Sequence, residues 1–220
     1  MSMFQVGYLR VLLFALAFAC VAPIAMARGQ ECPASVNPIS SMPLSPATSQ
    51  SNCAIRMSMG FPIPDPTCTP GATNPTVTID VLRSGDFKTG CERDTASSAD
   101  EKATTYHAYN IDHPADNRGQ NQTCELDHLI SLEIGGADTL DNIWPQCGPD
   151  GAQLNERYFK IKDSVENYLA AEVKAGDISL TCAQQGIATN WPQYISVAQT
   201  FFSDGTETKY DAGCRTLPAS

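Results

Sequence analysis

The chain has 220 residues and a formal charge of −10, with 14 Lys and Arg against 24 Asp and Glu. That length suits one ordinary domain with flanking segments. The acidic balance excludes a tight, broadly basic nucleic-acid binder, because phosphate neutralisation supplies most of such a protein's affinity.

The N-terminus reads as a secretory signal over residues 1–27. Arg10 gives the positive charge, Val11 to Ala19 an unbroken apolar run, and Ala25-Met26-Ala27 an A-x-A cleavage site. A membrane anchor is the competing reading, and Pro23 with the small-residue end favours cleavage. A lipoprotein reading through Cys20 is poor, since Ala17-Phe18-Ala19 makes a weak lipobox. Removing residues 1–27 takes away Arg10 and no acid, which leaves −11. Eight cysteines remain: Cys32, Cys53, Cys68, Cys91, Cys124, Cys147, Cys182 and Cys214. An even number in an exported chain implies disulfides, with about 105 pairings open. No C-x-x-C pair is present, so a zinc ribbon ranks below disulfides.

Residues 28–66 carry seven prolines and little charge, and read as a linker or extended arm tied down by cysteines. The folded part is expected over 67–214. Thr76 to Leu82 is β-branched and fits a strand, with a short helix opened by Asn74-Pro75 as the alternative. Arg83-Ser84-Gly85-Asp86 is a turn, and His113 to Gly119 is a loop by composition. Asn121-Gln122-Thr123 fits a glycosylation sequon.

Leu126 to Ile134 alternates apolar and polar with breaks at Leu129-Ile130, which predicts a strand. Gly135-Gly136 predicts a turn, and Ile143-Trp144 a short return strand stopped by Pro145. A helix is expected over 153–175, with Leu154, Tyr158, Ile161, Val165 and Tyr168 as its apolar stripe and Gly176 as its stop. Leu180 to Ala188 predicts a second helix capped by Ser179. Trp191 to Phe202 predicts a third, with Pro192 in its first turn and Tyr194, Ile195, Ala198, Phe201 and Phe202 on its buried side. The polar tail after Ser203 is expected to be pinned by Cys214.

The stretch from Asp127 to Gln146 is similar to the HNH (ββα-metal) nucleases, and more narrowly to secreted HNH-like proteins with a D-H-L-I-x-L-E-x-G-G and N-[IL]-W-P-Q pattern. Asp127, His128, Leu129, Ile130, Leu132, Glu133, Gly135, Gly136, Asn142, Ile143, Trp144, Pro145 and Gln146 carry the match, and Lys162-Asp163-x-x-Glu166 extends it. Weaker echoes lie at Thr69-Pro70-Gly71 and from Ala183-Gln184 to Trp191. The resemblance implies an α+β fold with a disulfide-stapled ββα-metal core over 124–175 and additional C-terminal helices. It implies an exported, metal-dependent nuclease acting on DNA or RNA with little sequence specificity, leaving 5′-phosphate and 3′-hydroxyl ends.

Phosphodiester hydrolysis needs a base for water and neutralisation of the developing charge. Histidine suits the first task, and a hard cation on oxygen ligands the second. His128 is therefore the expected general base. The resemblance makes Asp127 a ligand of a divalent cation, most simply Mg²⁺, with Mn²⁺ or Zn²⁺ as alternatives. Strand alternation points adjacent side chains to opposite faces, so Asp127 and His128 share a site only where the strand bulges, twists or ends. Asn142 either ligates the cation or holds the loop that positions the base; an amide can do both. Many HNH proteins carry a second His or an Asn on the helix, and here no histidine follows His128. Lys162 is then the expected phosphate contact and Asp163 a ligand or support, against a plain solvated helix face for both. Trp144 reads as core, Glu133 as a weaker candidate, and His107 and His113 as loop residues. Cys124 and Cys147 bracket the motif and should staple it, to each other or to upstream cysteines. The competing function is an inactive HNH-derived binding module. A toxin-type effector with an inhibitor or immunity protein is a third.

Overall fold

The computed structural model describes residues 52–93 and 98–204. The leader, the arm as far as residue 51 and the Cys214 tail lie outside the described residues. The fold is mixed α+β, with two small antiparallel sheets of two strands each and five helices among the described residues.

Folding begins earlier than the Pro-rich composition suggests. Strands β1 (Arg56–Ser58) and β2 (Phe61–Ile63) pair in register Arg56↔Ile63. Met59 and Gly60 both take positive φ, 52° and 84°, as a two-residue hairpin turn requires. The Cys53–Cys68 disulfide ties this hairpin to the next segment. Trp191 Nε1 donates to Pro62 O at 2.9 Å, and Phe61 meets the Tyr158 and Trp191 rings edge-on. Residues 52–66 are thus part of the domain rather than linker, because Phe61, Pro62 and Ile63 have a core to bury against.

Helix α1 (Ile79–Arg83) settles the strand-or-helix question at 76–82 in favour of a short helix, capped by Thr78 rather than by Asn74. Asn74 Oδ1 instead accepts from Thr76 N at 3.0 Å and Thr76 Oγ1 at 2.7 Å, an Asx turn that precedes the helix. Helix α2 (Ser98–Ala108) leads into Tyr109, which with Ala108, Leu129 and Trp144 forms a small second core.

Strand β3 is shorter than expected, Cys124–His128, and β4 is longer, Ile143–Cys147. They pair antiparallel from Cys124↔Cys147 to His128↔Ile143, and the two end cysteines are disulfide-bonded to each other. Pro145 sits inside β4 opposite Leu126 instead of stopping it. A two-stranded ladder has a free edge on each strand, which tolerates a residue without an N–H. Past His128 the chain leaves the ladder for a 3-10 turn at Leu132–Ile134, and Leu129, Ile130, Leu132 and Ile134 are all buried. The apparent alternation there is a buried loop rather than a strand.

Helix α3 (Tyr158–Ala175) starts five residues later than predicted, after a 3-10 turn held by a Gln153–Glu156 capping box. Gly176 closes it at φ 91°, where glycine is least strained. Helix α4 (Leu180–Asn190) is capped by Ser179 Oγ, which accepts from Cys182 N at 3.3 Å. A 3-10 turn at Trp191–Tyr194 precedes α5 (Ile195–Asp204). Phe202 is 56 % exposed, outside the buried stripe assigned to it. The main core joins α3, α4 and α5 through Val165, Leu169, Val173, Ile187, Trp191 and Ala198. Cys91 and Cys182 each take part in a disulfide as well. No described helix is long and apolar enough to cross a membrane.

Candidate functional site around His128

The site is built where β3 ends. Leu129 N donates to Asn142 O at 2.7 Å, the last bond before the chain turns out of the ladder. The Asn142 side chain then closes the neck of the loop from 129 to 142. Its Oδ1 accepts from Ile130 N at 2.8 Å, and its Nδ2 donates to Ile130 O at 2.8 Å and Ala137 O at 2.9 Å. Asn142 is fully buried. Of the two roles the sequence left open, holding the loop is the one this geometry performs. The segment 71–74 crosses the same loop: Gly71 N donates to Asp141 O at 2.9 Å, Ala137 N to Ala72 O at 2.9 Å and Asn74 N to Gly135 O at 2.8 Å. Gln184 Nε2 donates to Ile134 O at 2.8 Å. Gly71 and Gln184, one from each flanking echo in the sequence, thus both hold this loop. Gly136 has no room for a side chain, since a Cβ there would lie 1.8 Å from Ile130 O.

Asn142→Ala should cost at least about 2 kcal/mol, because three buried backbone groups lose their partner at once. Urea denaturation checks this, and a loss under about 0.5 kcal/mol would remove the loop from Asn142's account.

The loop delivers Asp138 to His128. His128 Nε2 lies 2.7 Å from Asp138 Oδ1, with the two side chains 10 % and 8 % exposed. A carboxylate only accepts, so this bond keeps the proton on Nε2 and leaves Nδ1 of the neutral ring with its lone pair. Periodicity and motif spacing do not single out Asp138. Its only signal was an Asp in the loop after Gly135-Gly136, ten residues past His128.

A second acid is buried beside this pair. Glu92 has no exposed surface, and burial raises its carboxyl to about 8, against the neighbouring Asn74 side chain that lowers it and with the Asp138 charge that raises it further. The folded value lies above the unfolded one, so the folded chain keeps a proton that the unfolded chain releases. Stability from this group is complete below about pH 4.5 and falls towards pH 8, at roughly 1.4 kcal/mol per pH unit. Glu92→Gln should remove that slope. The variant should therefore gain stability over the parent as pH rises from 5 to 8, in thermal melts at matched ionic strength. A constant difference across that range would contradict it.

Asp127 and His128 do diverge, as alternation requires. Asp127 turns towards α3, where its Oδ2 lies 2.9 Å from Lys162 Nζ. The Lys162 ammonium also donates to His128 O at 2.7 Å and to Glu166 Oε1. Its side chain is 0 % exposed, in the middle of the buried face of α3 between Phe159 and Val165. The ammonium is held by two hydrogen bonds and the Asp127 charge and has no exposed surface, so Lys162 does not reach a phosphate, contrary to the sequence expectation. It is also not on a solvated face. Burial alone would lower Lys162, but Asp127 and Glu166 hold it above the ordinary lysine range. Burial raises Asp127, with Lys162 pulling it back and Glu166 pushing it further up. Glu166, four residues along the same helix face, completes the cage. Asp163 lies elsewhere, in an ion pair with Lys160 at 2.7 Å and 39 % exposed.

The expected metal site does not fit these side chains. Asp127 faces an ammonium, the Asn142 amide is taken up by three backbone groups, and Asp163 is paired with Lys160. Among the described residues no three His, Cys, Asp or Glu side chains are grouped to hold a metal ion. Lys162 stands in the place where three oxygens, from Asp127, Glu166 and the His128 carbonyl, converge on one positive charge. Trp144 is fully buried core, Glu133 is half-buried with its carboxyl raised by burial, and His107 and His113 are exposed.

No protein-family model matches this chain, and neither does any curated protein or solved structure.

Proposed function

We propose that this chain is an exported nuclease of the HNH type, hydrolysing phosphodiester bonds of DNA or RNA with His128 as general base. The His128–Asp138 pair carries the reading. It presents an oriented imidazole with its free nitrogen Nδ1 at the end of a strand, in a strand–loop–strand–helix unit like that of the ββα-metal nucleases. The signal-like N-terminus and the Cys53–Cys68 and Cys124–Cys147 disulfides agree with an oxidising, extracytoplasmic setting.

In this reading Nδ1 takes a proton from the attacking water. The water oxygen bonds to phosphorus, and the bond from phosphorus to the leaving oxygen breaks. Asp138 keeps Nε2 protonated and stabilises the imidazolium that forms. Lys162 sets the geometry indirectly by bonding to the His128 carbonyl, which fixes the backbone that carries the base. No step is assigned to a metal, because the residues expected to bind one are engaged with protein groups.

The test is cleavage of plasmid, single-stranded DNA and RNA by the disulfide-intact chain, with Mg²⁺, Mn²⁺, Zn²⁺ or EDTA, beside His128→Ala. The expected result is cleavage that drops by about a hundredfold or more in the variant. The EDTA arm decides whether cleavage needs a cation. If the parent cleaves none of these substrates, the nuclease reading is lost. A binding module on the same scaffold then takes its place, a reading favoured by the ammonium where a metal would sit.

A further inference from the structure

The nuclease reading leaves the substrate's charge unanswered, since Lys162 is buried and the chain is strongly acidic. The described arginines divide into two groups. Arg56 donates to Pro64 O, Arg83 to Lys174 O and Arg157 to Pro149 O, so each is tied to the backbone. Arg93 and Arg118 are exposed and make no such bond, and both line one cleft of about 460 Å³ beside β3. His113 lines it too, its ring held 4.9 Å from that of Tyr106.

The cleft is built rather than accidental. Asn117 fastens its loop to β3: Nδ2 donates to Cys124 O at 2.7 Å, and Oδ1 accepts from Thr123 N at 2.8 Å and Cys124 N at 3.0 Å. Asn121 Nδ2 donates to Asp116 Oδ2 at 2.6 Å across the same loop. The Cys124–Cys147 disulfide anchors the strand at that end. Arg118 is thus displayed from a braced loop. The one carboxylate among the described lining residues, Glu125, is half-buried and takes a hydrogen bond from Gln122 Nε2 at 3.3 Å.

Two links lead from the cleft to the base. Leu126 lines it, and alternation puts Leu126 on the same strand face as His128, two residues on. Arg93 follows Glu92, whose carboxyl feels the charge of Asp138, the partner of His128.

We propose that this cleft binds the phosphodiester backbone of nucleic acid next to the scissile bond, with Arg93 and Arg118 as the phosphate contacts and His113 beside them. This rests on the nuclease reading for its place in catalysis but not for its binding. A guanidinium suits the task because its planar fork matches two phosphate oxygens. Two contacts on an acidic protein give weak, salt-sensitive and sequence-blind binding.

The experiment uses His128→Ala full chain, so that binding is read without cleavage, and a fluorescent oligothymidylate as probe. Arg93→Gln with Arg118→Gln should weaken binding at least tenfold at low salt and flatten the slope of log K against log salt by about 1.4, near 0.7 per lost contact. Lys88→Gln, an exposed cation elsewhere, should leave both unchanged. Polyglutamate in excess should not displace the probe. Binding insensitive to the arginine pair, equal loss in Lys88→Gln, or full displacement by polyglutamate would each overturn the proposal. Arginine-dependent binding in a chain that never cleaves would support the cleft while ending the nuclease reading. Cleavage by the parent that is indifferent to both arginines would do the reverse.

Discussion

Lys162→Met should destabilise the fold by about 3–5 kcal/mol, the usual cost of removing one partner from a buried ion pair. The ammonium is fully buried and neutralises Asp127 and Glu166, which are themselves only 11 % and 16 % exposed. Without it two carboxylates face each other and the His128 carbonyl loses its donor. Methionine keeps most of the volume, so packing against Phe159 and Val165 is nearly preserved and the loss reports charge rather than a cavity. The control is Lys162→Met with Asp127→Asn and Glu166→Gln, which removes the stranded charges and should recover most of the loss. A single variant within about 1 kcal/mol of the parent in urea melts would show that the cage is not closed in solution. Millimolar Mg²⁺ or Mn²⁺ gives a second readout. In the single variant Asp127 and Glu166 are free to take a cation, so added metal should raise its Tm more than the parent's.

That result would explain how the helix carries a lysine at the centre of its buried face. A lysine four residues before a glutamate can fill a cation's place with a covalently tethered charge, and sequence spacing alone does not separate it from a solvated i,i+4 pair. Burial decides between them, and the apolar stripe locates only part of the buried face. Val165 and Tyr168 of the stripe are buried and Ile161 packs against the core, Leu154 and Tyr158 lie outside it, and Phe159, Lys162 and Leu169 complete the buried face. Helix stops and caps were legible because their chemistry is local: Gly176, Ser179 and Pro192 act on their own neighbours. The short β3 was not, because its end is set by Asn142, fourteen positions away, accepting from the backbone at Leu129 and Ile130. Asp138 was missed for the same reason. A loop aspartate has no periodicity to betray that folding carries it to 2.7 Å from a histidine. The Pro-rich residues 52–66 were misread because composition measures the average chain, while one hairpin needs only Phe61, Pro62 and Ile63 to join a core.

Asp138→Ala should lower kcat on any substrate the chain cleaves by roughly one to three orders of magnitude and leave KM nearly unchanged, because Asp138 acts on His128 and not on the substrate. Losing the carboxylate frees the imidazole to rotate and to carry its proton on Nδ1, the nitrogen that must accept one. Asp138→Asn should be as harmful as alanine or more so. An amide NH₂ can donate to Nε2 and hold the ring in the wrong tautomer while keeping its position. Stability separates this role from a merely structural one. If Asp138 served only the loop, activity would follow the fraction folded and would recover on cooling or with stabilising solute. If it positions the base, a fully folded variant stays slow. The double variant Asp138→Ala with His128→Ala settles the point, since a residue that works through His128 adds nothing once His128 is gone. A further loss in the double variant, as large as in the single, would assign Asp138 a contact of its own and would remove the observation on which the nuclease reading rests.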